Sequence, residues 1–281
     1  MWMLLALLFL AGSPAFADET AEDAQRTQRL KSLQEKFSAW NLSLHNTAEP
    51  LTFEHDELPL LRYTNPVGGM VKDGGLFVWR AGRRPVAACS FTIRGPTDPP
   101  SLYVEMTSLT ATPLHCERSG KPRWTPQSAG LADRDFPEAE PPGDKPIARL
   151  VAMRNLARRF TAEEFSKEQQ RYGELRLLPQ PIDRFDDLDR GVVDGALFAF
   201  VEANDPQVLL LIEARRQSRG DVRWRYTIAR MSSRQQRVLL DGREVLFAAN
   251  FWQGSRSPDE PYLEMRDGPM ILNPSGTKSP E

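Results

Sequence analysis

The chain has two cysteines and three histidines among 281 residues, and no long apolar run. Each shortage excludes something. Its longest apolar stretch, WMLLALLFLA at residues 2–11, is roughly half the ~20 residues a membrane-spanning helix requires. Cys89 and Cys116 cannot make a C-x2-C pair, and His45, His55 and His115 fit neither H-x3-5-H nor H-E-x-x-H. No metal site is therefore expected. A nucleophile elbow, a phosphate-binding loop and a dinucleotide fingerprint are all missing, so no catalytic residue and no cofactor is assigned. Charge of one sign is lacking too. The 36 basic and 38 acidic residues nearly cancel, at a net charge of −2, which argues against a dedicated nucleic-acid binder.

What is present begins at the N-terminus. The short apolar run is followed by GSPAFADET, in which Ala15 and Ala17 make an A-x-A cleavage pattern. Residues 1–17 read as a signal peptide cut before Asp18. The mature chain, without a membrane-spanning segment, is expected in the periplasm or outside the cell.

One phrase occurs twice. DGGLFVWR starts at Asp73 and DGALFAFV at Asp194, 121 positions apart, and each leads through a polar turn into a second apolar run. Both read as β-hairpins. Fainter matches flank them in the same order. Arg62-Tyr63 answers Arg184-Phe185, LQEKFSA (33–39) answers LARRFTA (156–162), and Met106-Thr107-Ser108 answers Met231-Ser232-Ser233. Ordered matches with small slips point to an internal duplication. The expected fold is α+β: two related halves, each a helix plus an antiparallel β-meander, packed together. The boundaries follow as a first half at 18–129, a proline-rich acidic linker at 130–146, a second half at 147–253 and an irregular C-terminal tail at 254–281.

Local patterns refine this picture. Leu30, Leu33 and Phe37, extended by Trp40 or Leu44, form a helical stripe, as do Leu150, Met153, Ala157 and Phe160. Thr161 with Glu164 fits a capping box, predicting a further helix toward Tyr172. In ALFAF (196–200) and VLLLI (208–212) both alternate faces are apolar, so both must be covered, one by a helix and the other by the duplicated half or by another helix. RWRYTIAR (223–230) alternates as a half-exposed strand, and Asp241-Gly242 makes a two-residue hairpin turn.

Candidate chemistry is sparse. Cys89 and Cys116 could bridge in an oxidising compartment, or Cys89 could be a small buried thiol on a strand face. Between residues 215 and 230 there are six arginines and one acid. Arg215, Arg216, Arg219, Arg223 and Arg225 are thus a candidate anion-binding face for an envelope component. The opposing account is a solvated loop, or the acidic linker lying across it.

The stretches LRYTNPV, DGGLFVWRAGRRPVA, LARRFTAEEF and LRLLPQPIDRF…GVVDGALFAFVEANDPQVLLLIEAR resemble an uncharacterised family of exported bacterial proteins. That resemblance covers most of the mature chain and implies bacterial origin and export, with no activity to carry over. The expected function is a non-enzymatic binding or envelope-associated structural module of unknown ligand, with an anionic envelope component or a protein as partner. The alternative is an exported hydrolase whose site assembles from distant segments, using His115 and Glu117.

Overall fold

A computed structural model describes residues 14–45, 53–65, 71–96, 99–127, 131–167 and 169–271. The apolar run of the expected signal peptide lies outside them.

In the first half, helix α1 (Pro14–Ser38) precedes strands β1 (Trp40–Leu44), β2 (Glu54–His55), β3 (Leu61–Asn65), β4 (Val71–Ala81), β5 (Arg84–Arg94), β6 (Ser101–Ser108), β7 (Leu114–Arg118) and β8 (Lys121–Trp124). Strand β9 (Leu131–Asp135) joins it to the second half. There α2 (Pro146–Ala157) precedes β10 (Phe160–Ser166), β11 (Arg171–Leu177), β12 (Asp183–Asp187), β13 (Val192–Glu202), β14 (Asp205–Arg216), β15 (Val222–Arg230), β16 (Gln236–Leu240) and β17 (Arg243–Ala248). Strand β18 (Tyr262–Pro269) ends the series. Every strand pairing is antiparallel, and the fold is α+β.

The doubled phrase forms two hairpins, β4–β5 and β13–β14, with one shared register. Phe77 faces Cys89 as Phe198 faces Leu210. Each ladder is interrupted twice at matching places, between Val71 and Asp73 and between Trp79 and Arg80 in one, and between Val192 and Asp194 and between Phe200 and Val201 in the other. Entry into each hairpin is locked in the same way. Asp73 receives Arg62 Nε at 3.0 Å and Arg29 from α1 at 3.0 Å. Asp194 receives Arg184 Nε at 3.1 Å and Arg149 from α2 at 2.9 Å. Arg62 and Arg184 each also donate to the backbone carbonyl three residues before the helix arginine, at Arg26 and Pro146. Beside each aspartate a glycine lies under an aromatic ring, Gly74 beneath Tyr63 and Gly195 beneath Phe185. Only a residue without Cβ allows that approach.

These hairpins are apolar on both faces, and the structure covers both. The outward faces take the helices: Phe77, Trp79, Cys89 and Phe91 pack with Leu33 and Phe37 of α1. Phe198, Phe200 and Leu210 pack with Met153, Leu156 and Ala157 of α2. The inward faces meet each other, with Leu76, Val78 and Ala88 joining Leu197, Ala199, Leu209 and Leu211 in one core. The order is therefore helix, sheet, sheet, helix. Across the inner seam Arg84 grips buried Glu213 with Nε at 2.8 Å and Nη2 at 3.1 Å.

Reciprocal strand addition ties the halves further. β9, which follows the first half, pairs with β15 of the second. β18, which follows the second half, pairs with β6 of the first. The linker and the C-terminal tail, both expected to be irregular, thus each contain a strand. The described linker prolines follow β9, and in the tail Pro258 and Pro261 precede β18 while Pro269 is its last residue, places where the missing N–H costs little.

Other expectations are corrected. The helix expected from Thr161 is instead β10 and β11. Phe160, Ala162 and Glu164 are buried in alternation, so the strand period decided the local fold over the capping signal. Counting from the helix–strand junctions, Trp40 begins β1 as Phe160 begins β10, so Phe37 corresponds to Ala157 and not to Phe160. The Met106–Met231 match is likewise out of register. Met106 faces Cys89, while Ile228 faces Leu210. Met231 corresponds to Leu109, since their amides donate to Gln207 and Val86 at 2.7 and 2.8 Å.

Candidate functional site

Where β15 and β17 end and β18 begins, a groove of about 330 Å³ opens. Ile228, Leu246, Phe247, Phe251, Pro261 and Tyr262 line it. A short 3₁₀ turn (Phe251–Gln253) forms one wall, capped by the Asn250 side chain accepting from the Trp252 amide at 3.0 Å. The turn sets Phe251 edge-on to Tyr262, centroids 5.3 Å apart. Phe247, in the lining, is 54% exposed; Trp252, on the far side of the turn, is 46% exposed and lines a separate pocket with Phe165 and Gln235. Arg230 lies against the Tyr262 ring at 4.7 Å, but its guanidinium is consumed by the Ser232, Ala249 and Arg234 carbonyls. The groove surface is thus mainly apolar, with Arg256 and Glu260 as charged groups among its lining.

Its floor is different. The Tyr262 hydroxyl turns inward and donates to Glu105 at 2.7 Å. Glu105 stands directly opposite Glu264 in the β6–β18 ladder. Both accept from the single Arg94 guanidinium, at 2.9 and 2.5 Å. From the second half, Asp205, Glu202 and Arg234 close a cleft of about 110 Å³ over Glu105 and Arg94. Buried Glu164 holds Arg234 at 2.9 Å and Gln236 at 3.0 Å.

More carboxylates than guanidiniums meet in this buried space, so ionisation is costly. Burial raises the Glu105 pKa to about 8; Arg94 opposes the rise and Glu264 adds to it. Burial raises Asp205 to about 7, with Arg94 opposing and Glu164 adding. Burial pushes Glu164 up as well, against Arg234. Arg94 is pulled down by burial, but Glu105 and Glu264 outweigh that and hold it cationic. Burial lowers Arg230. The cluster can thus exchange a proton near neutral pH, directly beneath an apolar groove.

The sequence-nominated residues lie elsewhere. Arg215 and Arg225 are spent on Asp133, at 3.1 and 3.0 Å, and Arg225 also reaches Asp135 at 2.9 Å. Both acids belong to β9, so the linker lies across this face. Arg223 bonds Asp221 at 2.7 Å, and Arg216 and Arg219 are exposed. Cys89 and Cys116 share the α1-side core as free, buried thiols, not a bridge. His115 and Glu117 are 3.9 Å apart on β7, His115 beside His45 with centroids at 6.1 Å. They line neither the groove nor the acidic cleft. Among the described residues no group of histidine, cysteine, aspartate or glutamate is arranged to hold a metal, and no helix is long and apolar enough to cross a membrane.

Sequence reasoning missed Glu105 and Glu264. Each sits one place from apolar neighbours in its strand, the pattern of a wet strand face. Only the pairing of β18 with β6 brings them together.

Fold and cavity define an α+β protein of three antiparallel sheets, the six- and nine-stranded ones stacked face to face, with a groove above a buried ionic cluster. Comparison with protein-family models, with curated proteins and with solved structures finds no match to this chain.

Proposed function

We propose that this is an exported bacterial protein acting as a non-enzymatic binding module, which takes an apolar group of an envelope component or a protein partner into the groove at Tyr262. The carrying observation is the groove itself: mainly apolar walls, the exposed Phe247 side chain in its lining, and an Arg230 whose donors are already spent. Cavities of this size and lining favour apolar ligands. The module arose by duplication of one helix-plus-meander unit. The matching hairpin registers and the two Arg–Asp–Arg locks support that origin. The pieces expected to export it, residues 1–17, support placement outside the cytoplasm.

Titration with the apolar fluorophore N-phenyl-1-naphthylamine tests the groove. Saturable binding is expected, weakened about tenfold by Phe247→Glu, the equivalent of ~1.4 kcal/mol. Leu58→Glu, at an exposed site elsewhere, should leave binding unchanged. Equal binding by the wild type and Phe247→Glu would refute the assignment.

One observation favours the hydrolase as a second reading. Glu105 and Asp205 share a cleft and both titrate near neutrality, as an acid–base pair must. Hydrolysis of a reporter ester or glycoside that disappears in Asp205→Asn would favour it over simple binding.

A further inference from the structure

The groove and the acidic cluster share one side chain. The Tyr262 ring lines the groove, while its hydroxyl is bonded to Glu105. Pro261, the neighbouring wall residue, accepts from the Ser108 amide at 2.9 Å and holds the start of β18 against β6. Anything that separates β18 from β6 therefore dismantles the groove wall. The Glu105–Glu264 pair is the one place in that ladder where two acids face each other. Like charges directly opposite one another destabilise a sheet, and here both side chains are almost wholly buried.

We infer that Glu105 is a proton-operated latch on the groove: neutral, it leaves β18 seated on β6 opposite Glu264; ionised, it repels Glu264, drives β18 away from β6 and weakens ligand binding. The inference rests on the binding reading proposed above and adds its regulation.

The surroundings of Glu105 decide the direction. From β5 it faces Arg94, which favours the anion, and the Cys89 thiol. From β18 it faces Glu264, which opposes the anion, and the Tyr262 hydroxyl, which donates to it and favours the anion; from β14 it faces Asp205, which opposes it, from β15 Arg230 and from β3 Tyr63. Arg94 is already shared with Glu264, at 2.5 Å, and Arg230 is committed to three backbone carbonyls. One shared guanidinium cannot neutralise Glu105, Glu264 and Asp205 together. Burial and the neighbouring acids place the Glu105 transition at about pH 8. The latch is closed below that pH and opens above it.

If only the protonated form binds, the apparent Kd grows with the ionised fraction, rising about tenfold from pH 7 to pH 9. The test measures N-phenyl-1-naphthylamine binding from pH 6 to pH 9.5 in the wild type and in Glu105→Gln, a neutral isostere of the protonated side chain. The expected result is a tenfold loss in the wild type and a profile flat within about twofold in the variant. A second readout needs no ligand: hydrogen-exchange protection of amides 262–266 relative to those of β14. It should fall above pH 8 in the wild type and hold in Glu105→Gln. Glu264→Gln removes the opposing charge and leaves Arg94 to Glu105 alone; it should lower the Glu105 transition and keep amides 262–266 protected above pH 8, because ionised Glu105 then meets no like charge across the ladder. Parallel pH profiles in the wild type and Glu105→Gln, in both readouts, would overturn the latch. Absence of probe binding at every pH would instead sink the groove reading, while pH-dependent protection at 262–266 would still sustain the latch.

Discussion

Gly195→Ala is the sharpest probe of how the second hairpin is entered. Its backbone lies outside the left-handed region, so any cost is steric. An ideal Cβ would stand 2.5 Å from Cζ and 2.6 Å from Cε2 of Phe185. Ordinary contact begins near 3.4 Å, so the ring must retreat by roughly 0.9 Å inside a packed seam. Phe185 is buried against Leu197 and Val192 and has little room to move. Overpacking of this kind costs about 1–3 kcal/mol, while replacing a strand glycine by alanine returns about 0.5–1 kcal/mol. A net loss of ~1–2 kcal/mol follows. Phe185→Leu removes the clashing ring atoms at its own cavity cost. In that background Gly195→Ala should be neutral or stabilising. Urea unfolding of the four proteins measures the coupling, expected at ~1.5 kcal/mol or more. Additivity within ~0.5 kcal/mol would refute the close approach of ring and glycine.

Four further outcomes follow from the same coordinates. Asp194→Asn leaves Arg149 and Arg184 facing a neutral group, and Asp73→Asn does the same to Arg29 and Arg62. Each should lose ~3–5 kcal/mol in chemical denaturation, and by similar amounts. Glu105 and Asp205 have folded pKa values raised above their unfolded ones. Their stabilising contribution is thus complete below about pH 4 and is lost as pH rises through about 7 and 8. Thermal unfolding should show a decline over that window that is smaller in Glu105→Gln. Arg223→Glu, at an exposed site, should change stability by less than ~0.5 kcal/mol and leave heparin-column retention unaltered; Arg225→Glu should expose β9 to proteolysis, because Asp133 and Asp135 lose their anchor. Finally, Cys89 and Cys116 should resist alkylation in the native protein. Both should react on unfolding without reductant, as intact mass would report; burial raises both thiol pKa values.

The doubled phrase carried most of what could be read beforehand. Apolar residues on both faces of 196–200 and 208–212 required two coverings, and α2 and the first sheet supply them. Asp241-Gly242 forms its hairpin turn as expected, with positive φ at both residues. What escaped was non-local. Asp133 and Asp135 lie in a proline-rich run whose composition favours loop, and only the free edge of β15 recruits them into a strand. Thr161 and Glu164 carry a local helix signal, but their neighbours β11 and β16 offer strand pairing on both sides. Glu105 and Glu264, 159 positions apart, look like solvated strand residues until β18 seats on β6. The candidate site was invisible for that reason: it is made by the strand addition, not by any motif.

The most direct test concerns the seam itself, where two apolar ribbons exclude water from each other. Arg84 and Glu213 belong to different sheets and meet only if the inner faces are stacked as described. A double-mutant cycle of Arg84→Met and Glu213→Leu, followed by urea unfolding, reads that contact. Each single replacement should cost ~3–5 kcal/mol by stranding a buried charge, and the pair together should cost far less than their sum. Strictly additive losses would mean that the two side chains do not meet and that the sheets are not packed face to face.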